Sequence, residues 1–128
     1  MAEIIALEIY PSIKNYIDAL KKHFEIESVF LFGSYATGLA SNDSDIDLAI
    51  VSKSFGDNRF NDNVKLGKLT WGIDTRIEPI GFTPEEFESR LLAQEIKKKG
   101  LKIPITNDCL LWLNHNLIFY ICPAKIYF

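Results

Sequence analysis

Apolar positions change period several times along the chain, and each change marks an element. Ile13, Ile17, Leu20 and Phe24 recur at helical spacing with Lys14, Asp18, Lys21 and Lys22 between them. This predicts a helix that starts at Pro11, a residue suited to a first helical position, and closes at His23. Residues 2–10, apolar around Glu3 and Glu8, can also be helical. Ile26–Phe32 is predicted as a strand, and its unbroken apolar end implies burial on both faces. A short helix over residues 35–39, ended by Gly38, precedes a second strand over residues 45–51. Residues 59–71 carry a looser helical pattern through Phe60, Val64 and Leu69, weakened by Gly67. Residues 73–80 are predicted as a third strand, with Ile73, Thr75 and Ile77 on one face and Asp74, Arg76 and Glu78 on the other. Thr83, Pro84 and Glu86 spell a capped helix start. Phe87, Leu91, Leu92 and Ile96 continue the stripe of one helix to Lys97, Lys98, Lys99 and Gly100, where cations meet the negative pole. Leu101, Ile103 and Ile105 alternate as a short strand that Pro104 confines to an edge or an end. Strands that alternate with helices make the chain α/β.

The tail departs from this order. Residues 107–128 carry no charge between Asp108 and Lys125. They fit a helix through Leu110, Leu113, Leu117 and Ile121 as well as a hairpin around Asn114, His115 and Asn116. The expected division is a domain over residues 1–106 and an apolar tail over 107–128. The tail is too short and too polar in its middle for a span of about 20 apolar residues.

Length and composition bound the rest. A chain of 128 residues forms one domain with a real core. The net charge of −3 leaves no broad electrostatic footprint for nucleic acid. Cys109 and Cys122 have no framework spacing, no basic leader precedes an apolar run, and a cytoplasmic setting fits.

Chemistry concentrates in residues 30–51. The first strand stops at Gly33-Ser34, where backbone N–H groups and a hydroxyl at a turn can seat a phosphate. After ten further residues come Asp45 and Asp47. In a strand both carboxylates point one way, while Ile46, Leu48 and Ile50 point the other. Side by side they repel, and a cation between them removes that repulsion. Oxygen ligands without a nearby His or Cys suit a hard ion such as Mg2+. Ala49 and Val51 follow on the acid face and are small enough to leave room for a ligand. Asp74 is the candidate third carboxylate, with Glu78 as the alternative. Three acids on adjacent strands can hold two metal ions around a phosphoryl transfer.

Gly33-Ser34, ten residues, then Asp45-x-Asp47 resembles the signature of the DNA polymerase β-like nucleotidyltransferases, and in particular the minimal nucleotidyltransferases, many of which are antitoxins paired with HEPN toxins. The resemblance covers roughly residues 29–102. It implies a palm-like fold, a small mixed sheet with helices packed against it. It implies transfer of a nucleoside monophosphate, AMP from ATP, with two Mg2+ ions held by Asp45, Asp47 and Asp74. Gly33 and Ser34 would hold the β- and γ-phosphates, with Ser44 near the nucleotide. The implied acceptor is a tyrosine of a HEPN-type RNase toxin. The competing readings are an antitoxin that acts by binding alone and a small-molecule nucleotidyltransferase of the antibiotic-modifying kind.

Other patterns carry less. Asp43, Asp45 and Asp47 could open a calcium loop, but Leu48 and Ser54 stand where that loop needs Gly and Glu. Gly67-Lys68-Leu69-Thr70 lacks the first glycine of a P-loop and has Leu between Lys and Thr. His23 reads as a helix-end partner and the lysine run as a helix cap.

Overall fold

The computed structural model describes residues 2–41 and 43–105. The tail lies outside the described residues. Four strands form one sheet: β1 (Ile26–Phe32), β2 (Ile46–Ser52), β3 (Ile77–Phe82) and β4 (Leu101–Ile103), in the order β3-β2-β1-β4. β1 runs antiparallel to β2 and β4, whereas β2 and β3 are parallel. Parallel neighbours need a crossover, which is supplied by α3 (Arg59–Lys68). The predicted edge strand is β4, an outer strand of the sheet.

The two sheet faces are covered differently. β1 sends Val29 and Leu31, and β2 sends Ile46, Leu48 and Ile50, into a cluster with α1 (Ala2–Lys21) and with Leu66 of α3. Alternation sends Ala49, Val51 and Phe82 to the opposite face. There they pack with Phe87 of α4 (Pro84–Ser89) and with Ala93 and Ile96 of α5 (Leu91–Lys99). Phe30 and Phe32 lie partly buried against this second cluster, so β1 is covered on both faces as its sequence implies.

Several boundaries differ from the sequence reading. Pro11 does not start a helix. It sits on the exposed side of the continuous α1, while Ile9, Tyr10, Ile13, Tyr16, Ile17 and Leu20 form one buried stripe across it. That burial offsets the hydrogen bond proline cannot donate. In α3, Phe60 and Val64 face outward and Leu66 is the buried contact. The helix predicted after Thr83 is two helices. The capping box forms between Thr83 and Glu86, but Arg90 is extended (ψ 143°) and ends α4. The break changes the phase of the stripe, so Ala93 and Ile96 are buried while Leu91 stands exposed. The third strand begins at Ile77, so Asp74 and Arg76 precede it. The room expected beside Ala49 and Val51 is filled by α4 and α5.

Candidate active site

The site forms where β1 ends and β2 and β3 begin. Phe32 pairs with Asp47 across the antiparallel ladder, and Asp47 lies beside Glu78 in the parallel one. Asp47 and Glu78 therefore share a sheet face. Asp45 precedes Ile46, the first residue of β2, and is exposed.

Gly33 closes the corner. Its backbone has φ 73° and ψ −151°, a conformation open to glycine. A Cβ at this position would overlap the Asp47 carboxylate. Glycine is thus required twice, once by the backbone and once by the acid packed against it. The Gly33 carbonyl accepts from the N–H groups of Ala36 and Thr37 and starts α2 (Ser34–Thr37). Gly38 ends this short helix with φ 80°. The Ser34 hydroxyl makes no hydrogen bond among the described residues. Beside Gly33 a hollow opens between Phe32, Thr37, Leu92, Ile96 and Lys99.

Asp47 and Glu78 hold protons unusually well. Burial and then the charge of Asp45 push the Asp47 carboxyl upward. Glu78 is pushed up first by Asp45, then by burial, by Asp47 and by a hydrogen bond with Asp45. Like charges drawn together disfavour ionisation of each. As they stand, no three His, Cys, Asp or Glu side chains among the described residues are grouped to hold a metal ion. The donor set still suits a hard cation, because these are carboxylate oxygens whose mutual repulsion a cation would remove.

Asp74 is differently employed. Its Oδ1 accepts from the backbone N–H and Nε of Arg76 at 3.0 and 3.1 Å. Its Oδ2 accepts from Arg76 Nη2 at 2.7 Å and from Ser12 Oγ at 2.8 Å. A carboxylate has about four acceptor sites, and all four are used. Arg76 holds the Asp74 carboxyl down to about 2. The sequence reading put Asp74 with the acid pair and kept Glu78 as the alternative; in the structure Glu78 lies beside Asp47, and Asp74 is bonded to Arg76 and Ser12. Ser44, expected near the nucleotide, accepts the Ser41 N–H on its hydroxyl and shapes the loop before Asp45.

Two supporting residues were not singled out from the sequence, Ser12 and Tyr35. Tyr35 Oη accepts from Arg76 and donates to the Ser41 carbonyl. Nothing in the local sequence marks either residue, because their partners are distant in the chain or on another element.

The nucleotidyltransferase domain family matches residues 13–105 of this chain. The chain belongs to that family. The nucleotidyltransferase domain resembles a solved Sulfolobus solfataricus protein assigned as a nucleotidyltransferase, with a TM-score of 0.59 and 20% identity over 80% of this chain and 86% of that one. It also resembles a solved toxin–antitoxin with AMP-PNP, with a TM-score of 0.53 and 23% identity over 89% of this chain and 86% of that one. Identities this low establish a common α/β fold. No curated protein matches the sequence. No described helix of the domain is long and apolar enough to cross a membrane.

Proposed function

We propose that this nucleotidyltransferase domain transfers a nucleoside monophosphate, AMP from ATP, to a hydroxyl on a partner protein. The observation that carries the reading is the corner itself. The Asp47 carboxylate packs against Gly33, and Glu78 stands next to it in register. The candidate phosphate turn is thereby in contact with one acid, Asp47.

In this reading the exposed turn at Gly33 and the Ser34 hydroxyl bind the β- and γ-phosphates. The apolar hollow beside Gly33 receives the nucleoside. Asp45, Asp47 and Glu78 would hold Mg2+, two ions in the reading from the sequence, and Mg2+ when bound supplies neutralisation of the triphosphate charge. Glu78, whose hold on a proton is raised by the neighbouring acids, accepts the proton of the attacking hydroxyl. The hydroxyl oxygen bonds to the α-phosphorus. The bond from that phosphorus to the bridging oxygen breaks, and pyrophosphate leaves with the electron pair. Positioning and charge neutralisation carry most of such a reaction.

The proposed acceptor is a tyrosine of a HEPN-type RNase toxin, which makes this chain the antitoxin. The motif resemblance and the fold shared with a toxin–antitoxin that carries an ATP analogue support this choice. The test is to incubate the protein with each α-labelled NTP, Mg2+ and the product of the adjacent gene. Label on the partner from ATP, absent with Asp45→Ala, is the expected result. Binding to the partner without label from any NTP would overturn catalysis in favour of an antitoxin that acts by binding. Label on a small molecule alone would overturn the protein acceptor.

A further inference from the structure

We propose that Asp74 and Arg76 are a positioning pair which, through Tyr35, sets the loop that presents Asp45. The inference rests on the nucleotidyl-transfer reading and gives a role there to residues that touch neither metal nor substrate.

The connection can be followed bond by bond. Ser12 on α1 and Arg76 together use every acceptor site of Asp74. This holds the guanidinium as a fixed fork. Arg76 Nη1 then donates to Tyr35 Oη at 3.3 Å, and Tyr35 Oη donates to the Ser41 carbonyl at 3.2 Å. The same carbonyl accepts the Ser44 N–H at 3.1 Å, and Asp45 is the next residue. On its other side Asp45 adjoins Ile46, whose N–H donates to the Arg76 carbonyl at 2.8 Å. Asp45 is therefore bracketed by two attachments to Arg76, one through the side chain and one through the backbone.

The other parts of the site hang from the same frame. Tyr35 lies two residues beyond Gly33, and its ring is buried in the core below α2. Glu78 lies two residues beyond Arg76, at the start of β3. A shift of the guanidinium would move the approach of Asp45 relative to both. Groups that orient metal ligands are worth about 10- to 100-fold in metal affinity or activity when removed. Asp74 has no acceptor site left over, so it acts through the frame.

The experiment compares Tyr35→Phe, Asp74→Asn and their combination with the wild type. Mn2+ binding to the protein alone is read by electron paramagnetic resonance, kcat and KM by transfer from ATP, and folding by thermal melting. Tyr35→Phe keeps the buried ring and removes only the bridging hydroxyl. It is expected to weaken Mn2+ binding and lower kcat by roughly 10-fold while the melting point holds. The double variant is expected to lose no more than the worse single variant, because both cut one connection. Unchanged Mn2+ affinity and kcat in a folded Tyr35→Phe would overturn the proposal. So would losses that add in the double variant, or loss of Mn2+ binding in Asp74→Asn as complete as in Asp45→Asn, which would make Asp74 a ligand. A wild type that neither binds Mn2+ nor transfers from any NTP overturns the function itself, and is told apart because it fails before any variant is compared.

Discussion

Glu78 sits directly beside Asp47 across the parallel β2–β3 ladder, on the sheet face that Asp47 shares with Phe32. Asp74, four residues earlier, is bonded to Arg76 and Ser12. The two acids therefore respond differently to neutralisation. Glu78→Gln is expected to reduce transfer by roughly 100-fold or more, as removal of a positioned proton acceptor does. Its metal-free melting point should hold or rise, since one repelled charge is gone. Asp74→Asn should lower the melting point and leave substantial transfer. Transfer assays and melts on both proteins check this, and the reverse ranking of activities would make Asp74 the third ligand.

Gly33 meets two demands that any side chain violates. Gly33→Ala places a Cβ both at positive φ and in the space of the Asp47 carboxylate. The backbone term alone costs on the order of 1–3 kcal/mol. The variant should melt earlier, and its Asp47 should be displaced. Adding Asp47→Ala should recover part of the stability lost and none of the transfer. Denaturant melts of the single and double variants measure that coupling.

Stability should depend on pH through Asp74 on one side and Asp47 and Glu78 on the other. The Asp74 carboxyl is lowered to about 2, chiefly by its hydrogen bond from Arg76. Its contribution is complete above the unfolded carboxyl value of about 4 and is lost as pH falls through about 2. Asp47 and Glu78 are raised, so their ionisation opposes folding at neutral pH and protonation relieves it. Melting points in the presence of a chelator should therefore rise as pH falls from neutral into the mildly acidic range, then drop steeply. Asp74→Asn should soften the steep limb, and Glu78→Gln should flatten the rise. A melting point that only falls on acidification would count against the acid cluster.

Tyr16 ties α1 to α3. It is fully buried, and its hydroxyl donates to the Leu66 carbonyl at 2.7 Å. Burial alone pushes the phenol well above its ordinary value. Tyr16→Phe preserves the packing and leaves a buried carbonyl unpaired, at about 1–3 kcal/mol. Chemical denaturation should report that loss while transfer at 25 °C stays near wild type. An unchanged midpoint would mean the carbonyl finds another donor.

The strands of the site were legible because they obey short-range rules. Ile26–Phe32 has the residues of a strand covered on both sides, and Thr83 with Glu86 states its capping box in four letters. Gly33 and Asp47 could be singled out together because the motif keeps their spacing. The α4–α5 break at Arg90 was not legible, since the apolar spacing through Leu91 and Leu92 fits an unbroken helix. Only packing of Ala93 and Ile96 in the cluster with Ala49, Val51 and Phe82 selects the observed phase.

The sequence by itself determined that the chain is α/β, and it singled out Gly33, Asp45 and Asp47 as candidates, with Asp74 or Glu78 as the candidate third acid. Periodicity and turn chemistry suffice for that, because they depend on neighbours a few residues apart. The tertiary structure alone put Glu78 beside Asp47 and Asp74 against Arg76 and Ser12. Alternation puts Asp74 and Glu78 on one face of any strand that holds both, but the strand starts at Ile77. What ends it there is contact with distant parts of the chain: Ser12 on α1 and Tyr35 on α2 complete the Asp74–Arg76 network, and the β2 register aligns Glu78 with Asp47. Partners 62 and 41 residues away leave no trace in local spacing.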